Sequence, residues 1–295
     1  MSADANATLT LSAQRPARVR GALTRLAGSP VALRAGITIV LLFLVLAVLS
    51  LFWTPYPPSA PATGAFSAAP SWSHLFGTDN AGSDVFSKAL AATRADVGLT
   101  VAVVATALVV GGAWGAVTGY LGGWFDTLTQ RVLQTLNAFP ALLLAMLAIS
   151  ALGRSTLVVI GVVALIPLPD YVRLARAEVM TKKHWQFAEA ARMVGRRPAG
   201  LLARHLIPNS VRPLLAYAGI NASWVVSTIG ALGFLGLGIQ PGSAEWGSMI
   251  AGGQSSIALG LWWICFFPGV GIFLLAFAFH LIGDGLADAD LLRQS

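Results

Sequence analysis

Long apolar stretches without charge alternate with short polar ones along most of this chain. A helix needs about 20 apolar residues to cross the hydrocarbon core of a bilayer, and several of these stretches reach or exceed that length. We predict six membrane-spanning helices, near residues 35–53, 97–119, 130–150, 155–176, 213–235 and 261–283. The pattern therefore predicts an all-α polytopic membrane protein, in which residues 31–295 form one transmembrane domain after a polar tail of residues 1–30.

The composition agrees with a membrane location. Of the 295 residues, 56% are hydrophobic and only 11% are charged, against about 25% charged in an ordinary soluble domain. A soluble protein of this size could not bury so much apolar surface. The single cysteine, Cys265, excludes an intrachain disulfide and a cysteine metal site.

The net charge of +7 invites a nucleic-acid interpretation, but the positions of the basic residues argue against it. If the N-terminus is placed in the cytoplasm, the six predicted spans leave only three of the 19 basic residues on the extracytoplasmic side of the membrane: Lys88, Arg94 and Arg154. Cytoplasmic segments of membrane proteins carry an excess of Lys and Arg. We therefore expect cytoplasmic N- and C-termini, contact with the lipid bilayer and no nucleic-acid partner.

The segments between the spans predict shorter elements. In "FGTDNAGSDVFSKAL", Ser83 is a candidate cap for a short helix lying at the outer membrane interface. In "AEWGSMIAGGQSS", a short re-entrant helix would place Trp246 at the interface. Gly111, Gly115 and Gly119 in the second span have the spacing that lets membrane helices approach closely, although glycine is also generally tolerated in such helices.

Two predicted spans contain polar side chains away from their ends. Gln134 and Asn137 lie on one face of the third span, and Asn221 and Thr228 lie in the fifth. Amides facing lipid would lack hydrogen-bond partners, so these faces should contact protein or water. They are candidates for a translocation path, with packing between helices as the alternative.

Sequence patterns for catalysis and for energy supply are missing. The chain has no G-x-x-x-x-G-K-[ST], no H-E-x-x-H and no G-x-S-x-G, so we expect no catalytic residue, metal site or ATP cofactor in it. We also expect no Asp or Glu in the middle of a span, where an ion-coupled secondary transporter usually carries one. The pattern therefore indicates that another protein supplies the driving energy.

The loop of residues 177–212 is the basic part of an otherwise apolar region. Trp185 to Met193 predict a helix that Gly195 stops, and Pro198 suits the start of a second helix ending near Asn209. A helix–turn–helix along the inner face would present an amphipathic ridge suited to a groove on another protein. Plain topology, with basic residues simply marking the inner side, is the alternative.

Within this loop, "EAARMVGRRPAGLLARHLIPN" resembles the EAA loop of ATP-binding cassette importer permeases. Four other stretches resemble the second permease of the dipeptide/oligopeptide importer family: "GSPVALRAGITIV…TPYPPSA", "FGTDNAGSDVFSKAL", "FLGLGIQPGSAEWGSMI" and "FFPGVGIFLLAFAFHLIGDGL". The resemblance covers nearly the whole chain after about residue 28.

This resemblance implies a type I importer permease with six membrane helices and a cytoplasmic coupling helix, in the bacterial inner membrane. It implies a second homologous permease subunit, two ATPase subunits or one fused chain that bind ATP and Mg, and an extracytoplasmic substrate-binding protein. The residues that carry over to ATPase coupling are Glu189, Ala190, Ala191, Gly195, Pro208 and Asn209.

The sequence departs from the family pattern at Ser83, Lys88 and Gln134 and at the C-terminal "ADADLLRQS". These departures do not alter the fold that the resemblance implies. They leave the substrate open, because the family also includes nickel and other small-solute importers. The alternatives to peptide import are another solute within the same family and, less favoured, an ion-coupled secondary transporter.

Overall fold

The computed structural model describes residues 31–58, 65–239 and 244–291. The predicted tail of residues 1–30 and the last four residues of the chain lie outside them. The described residues form helices joined by short connections, with a single β-bridge between Thr78 and Asp84 in place of any strand. The expectation of an all-α fold is therefore confirmed.

Eleven α-helices are described, which we number α1 to α11. They are α1 (Val31–Phe52), α2 (Val85–Leu121), α3 (Gly123–Asn137), α4 (Ala141–Leu152), α5 (Thr156–Leu165), α6 (Leu168–Lys182), α7 (Gln186–Met193), α8 (Pro198–Leu201), α9 (Ile207–Phe234), α10 (Trp246–Gly253) and α11 (Trp263–Leu291). A π-helical turn, Leu202–Leu206, joins α8 to α9, and a 3₁₀-helix, Gln254–Leu259, follows α10.

Four continuous helices are long and apolar enough to cross a membrane: α1, α2, the run from α8 through α9, and α11. Two bent pairs, α3 with α4 and α5 with α6, bring the number to six if each pair is one span. Six is the number predicted from the sequence.

Two predicted spans are broken rather than straight. The axes of α3 and α4 differ by 88° at Pro140, and those of α5 and α6 by 51° near Pro167. Proline lacks the N–H that continues a helix, and its ring clashes with the preceding turn. A kink at Pro140 is what the sequence predicts for the third span, and the break there confirms it. The prediction of a helix continuous from 155 to 176 was wrong near Pro167.

The prediction of a short interfacial helix before the second span was also wrong. Residues 85–121 form one helix of 37 residues, and its cap is Asp84 rather than Ser83. The Asp84 carboxylate accepts a hydrogen bond from the Ser87 N–H at 2.8 Å and contacts His74 Nδ1 at 2.9 Å. A carboxylate at this position satisfies an N–H that the first helical turn leaves free.

The two ends of the bundle are identified by α2, which runs the whole length between them. Residues 177–212 lie at one end, because Lys183 Nζ donates to the Gly119 carbonyl near the end of α2. We call this end, which holds the basic loop, the basic end. The far end holds residues 65–84 and α10. The Trp246 side chain at the start of α10 is buried rather than interfacial: its Nε1–H donates to the Ala89 carbonyl at 3.0 Å.

Candidate functional site

The loop of residues 177–212 folds against the basic end of the bundle through a small apolar core. Ala188 of α7 and Leu201 of α8 are fully buried there. They pack with Leu206 of the π-helical turn and with Ala116 and Val179 on the spans. Residues 186–206 therefore form a ridge that is attached to α2 and α6, as the amphipathic pattern predicts.

The opposite side of this ridge is open. Met193 and Val194 at the end of α7 are 88% and 83% exposed, and Glu189 and Ala190 on the same helix are exposed as well. Monomeric soluble surfaces seldom present two large apolar side chains so fully at one tip, and such a tip suits a pocket on a partner. We call residues 189–199 the docking ridge.

Gly195 ends α7 as the sequence predicts. Its φ is +75°, a left-handed conformation that glycine adopts without steric cost. The turn reverses the chain so that α8 can return toward the bundle. Glu189, Ala190 and Ala191 thus lie on α7, and Gly195 lies in the turn that follows it.

Pro208 and Asn209 are placed differently from the prediction. The second short helix does not end there: α8 continues through the π-helical turn into α9, so both residues lie inside a continuous helical run. Pro208 stands in the first turn of α9, directly after the π-helical turn, a position at which helices tolerate proline. The Asn209 side-chain Nδ2 donates to the His205 carbonyl at 2.7 Å, and the Asn209 backbone carbonyl accepts from Lys182 Nζ at 2.7 Å.

The polar residues predicted for the path separate into two kinds. Gln134 and Asn137 on α3 are exposed. Asn221 and Thr228 on α9 are buried within the subunit, where Asn221 Oδ1 accepts from the Tyr171 hydroxyl at 3.2 Å and Thr228 donates to the Trp224 carbonyl. The structure does not bring all four to one surface, and burial favours a packing role for the α9 pair.

Two carboxylates lie within the bent pairs of helices. Asp170 lies in the first turn of α6, just after the break, and Asp126 lies on α3. Arg176 holds Asp126 with two hydrogen bonds of 2.5 Å. Asp170 lies three residues before Arg173 on the same helix, and Arg173 Nη1 is 3.6 Å from Asp170 Oδ1.

Metal ligands do not cluster in the described ranges 31–58, 65–239 and 244–291, where no three His, Cys, Asp or Glu side chains lie close enough to hold an ion. The features that remain are an attached ridge with an open tip and a helical bundle with an apolar core. Together they suit a membrane subunit moved by a partner.

Comparison with known proteins decides which membrane subunit this is. Residues 111–289, which include both the docking ridge and the last four spans, match the model of the family described as "Binding-protein-dependent transport system inner membrane component". The chain belongs to this family. It is thus a multi-pass inner-membrane permease component of the ATP-binding cassette importers, whose transport depends on ATPase and substrate-binding partners.

Members of the family with curated names match most of the chain. It is 35% identical to a probable D,D-dipeptide transport system permease protein of Escherichia coli (strain K12), over 95% of this chain and 94% of that protein. It is 33% identical to a glutathione transport system permease protein of Pectobacterium atrosepticum, over 84% of both chains. It is 32% identical to a dipeptide transport system permease protein of Alkalihalophilus pseudofirmus, over 86% of this chain and 83% of that protein.

Proposed function

We propose that this permease is half of the translocation pore of an ATP-driven peptide importer. The observation that carries the proposal is the similarity, over nearly the full chain, to permeases named for dipeptides, peptides and glutathione. The partners in the proposal are a second homologous permease, two ATPase subunits or one fused chain, and an extracytoplasmic binding protein. The N- and C-termini and the docking ridge are cytoplasmic.

The docking ridge is the ATPase-coupling element in this proposal. Its apolar tip at Met193 and Val194 inserts into the ATPase, with the exposed Glu189 beside it. Ala188 and Leu201, which flank the docking ridge, pack against the spans, and Lys183 and Lys182 donate hydrogen bonds to the carbonyls of Gly119 and Asn209. Movement of the ATPase would therefore move α2, α6 and α9 together.

Met193 provides the sharpest test of coupling because its side chain packs so little within its own subunit. Met193→Asp should abolish ATPase co-purification or reduce it at least tenfold, since a charge would be desolvated in the partner's pocket. Met193→Leu, which keeps an apolar side chain of similar size, should behave like the wild type. The measurement is the amount of ATPase recovered with the tagged permease from membranes in mild detergent.

Glu189→Ala and Gly195→Ala extend the test from attachment to coupling. Both should reduce substrate uptake per ATP hydrolysed while leaving membrane insertion intact, because one alters the ridge surface and the other strains its turn. If Met193→Asp, Glu189→Ala and Gly195→Ala all transported at the wild-type rate, the coupling role of the ridge would be refuted.

The substrate is tested with the complete importer reconstituted in proteoliposomes. Uptake of labelled tri-alanine that requires ATP and the binding protein would support the peptide proposal. ATP-dependent uptake of ⁶³Ni²⁺ without peptide uptake would replace it with the nickel alternative. Uptake driven by an ion gradient without any ATPase subunit would instead favour a secondary transporter.

A further inference from the structure

An apolar cleft lies between α2, α6 and α9 near the basic end of the bundle. Its volume is about 320 Å³, and its walls include Gly112 and Ala116 of α2, Val179 of α6 and Leu214 of α9. Val109 lines the cleft as well and is 67% exposed, so the cleft opens to the surface there. One turn of an α-helix with its side chains occupies roughly 500 Å³. The cleft therefore has room for side chains but not for a further helix.

The packing of the helices places this cleft outside the hydrocarbon core of the membrane. Gly219 of α9 lies against Gly283 of α11, and Gly285 lies against Leu33 in the first turn of α1. Because α1 is just long enough to cross the core, its first turn marks the boundary of the core on the side of the basic end. Ser210, in the wall of the cleft, precedes Gly219 on α9 and lies about 14 Å further toward the basic end at 1.5 Å per residue. Lipid chains therefore do not reach this part of the cleft.

Large apolar side chains are exposed around the mouth of the cleft. Beside Val109, Val110 of α2 is 48% exposed and Leu215 of α9 is 44% exposed. A methyl group added at Gly112 would lie 3.1 Å from Leu214 Cδ2, so this part of α2 is level with the part of α9 that lies beyond the boundary. Apolar side chains grouped at a surface outside the lipid mark a contact with another protein.

Ser210 gives the cleft one polar group. It is the only polar side chain among the described residues that line the cleft, and it is 4% exposed. Its Oγ has no hydrogen-bond partner in the described part of the chain. The other Ser and Thr side chains of α9, which are Ser223, Ser227 and Thr228, each donate to a carbonyl three or four residues earlier. Because buried hydroxyls in folded proteins nearly always have a partner, Ser210 indicates that whatever fills the cleft brings an acceptor oxygen.

The position of the cleft along the bundle favours the second permease over the ATPase as its occupant. The helical run that contains Ser210 begins at Pro198 on the docking ridge, about 18 Å away along the helix axis. An ATPase bound at the open tip of the ridge meets Met193 and Val194, on the side of the ridge that faces away from the bundle. A homologous permease, in contrast, carries equivalent helices at the same level as the cleft.

We propose that this cleft is a contact site for the second permease, which inserts apolar side chains into it and accepts the Ser210 hydroxyl on one of its oxygen atoms. The identity of this occupant rests on the proposed function. Ala116 and Val179, which line the cleft, also belong to the apolar core that attaches the docking ridge to the spans. A movement of the docking ridge would therefore reach both permeases.

Site-specific photocrosslinking tests the occupant. Val109→p-benzoylphenylalanine is introduced into the tagged permease of the complete importer in its native membrane, and mass spectrometry identifies the product formed on irradiation. We expect a crosslink to the second permease. Met193→p-benzoylphenylalanine at the tip of the docking ridge is the internal reference, and we expect it to form a crosslink to the ATPase instead.

The failure of this inference and that of the proposed function are distinguishable. A crosslink from position 109 to the ATPase or to lipid, or no crosslink although the second permease is recovered with the tagged chain, would overturn the inference and leave the proposed function standing. Recovery of the tagged chain without any second permease would refute the proposed function and, with it, the named occupant.

Two substitutions test the cleft itself, with the amount of second permease recovered per tagged chain as the measurement. Gly112→Leu fills the cleft from α2 and should lower this recovery by about tenfold. Gly98→Leu on the same helix is the matched control and should leave it unchanged, because nothing lies within 4 Å of a methyl group added there. Ser210→Ala should lower it by about fivefold, the effect of one lost hydrogen bond. Recovery that stays at the wild-type level in Gly112→Leu and Ser210→Ala, or falls equally in Gly98→Leu and Gly112→Leu, would contradict the proposal.

Discussion

Replacing Gly115 by alanine tests the packing of α2 on α6. Gly111, Gly115 and Gly119 all face α6, and a methyl group at Gly115 would lie 2.9 Å from Ala175 Cβ and closer still to the Val172 carbonyl oxygen. Carbon atoms pack without repulsion at about 3.5–4.0 Å. Because the obstacle is backbone, the two helices would have to separate.

The expected cost follows from two opposing contributions. Overpacking a close contact costs about 1–3 kcal/mol, and exchanging glycine for alanine in a helix returns about 0.5–1 kcal/mol. Gly98→Ala on the same helix receives only the second contribution, because nothing lies within 4 Å of its added methyl group. We therefore expect the two variants to differ by about 2 kcal/mol, or roughly 4–8 °C in Tm.

The assay is the thermal unfolding of the purified importer in detergent, followed by the size-exclusion peak of a fluorescent fusion after heating. Gly111→Ala and Gly119→Ala should resemble Gly115→Ala, since their added methyl groups would meet Tyr171 Cβ and the Arg176 carbonyl at 2.6 Å. Equal melting temperatures for Gly115→Ala and Gly98→Ala would refute the close packing of α2 on α6.

Three further predictions concern the far end of the bundle. Asp84→Ala should destabilise the protein by about 1–2 kcal/mol through loss of the α2 cap, whereas Ser83→Ala should change little; chemical denaturation of the two variants compares them. Trp246→Phe should cost about 1 kcal/mol or more, because the Ala89 carbonyl loses its indole donor, and the melting temperature of the variant shows whether it does. Burial raises the pKa of the Glu245 carboxyl, against an opposing hydrogen bond from the Ile239 N–H, so the folded state holds this proton more tightly than the unfolded state. Stability from this group is therefore present at low pH and lost as pH rises above its unfolded pKa of 4.5 through the folded value; Glu245→Gln should flatten that part of the melting-temperature profile, and an unchanged profile would contradict the assignment.

The spans were predictable because their signal is the length of an uncharged run, which depends on no other part of the chain. The kink at Pro140 was predictable, whereas the break near Pro167 was missed, since proline is tolerated in membrane helices when neighbouring groups satisfy the freed carbonyl. The length of α2 was missed for a related reason. Asp96 within α2 is buried and accepts a hydrogen bond from the Trp246 N–H, a contact between residues 150 positions apart that the sequence does not reveal.

The docking ridge was predicted better than the path. A glycine stop and an amphipathic period are local signals, and α7 ends where Gly195 turns the chain. Which polar side chains face the path depends on how α3, α6 and α9 pack. Of the four residues that the sequence singled out, Asn221 and Thr228 are buried within the subunit, and Gln134 and Asn137 are exposed.

The continuity of α8 and α9 has a mechanical consequence. Pro198 to Phe234 is one helical run of 37 residues, about 55 Å long at 1.5 Å per residue. A rod of that length, turned by about 5° at the docking ridge, displaces its other end by roughly 5 Å. A movement imposed by the ATPase would thus be larger at the far end of this helical run than at the docking ridge. The π-helical turn and Pro213 are the two positions at which the run bends most easily.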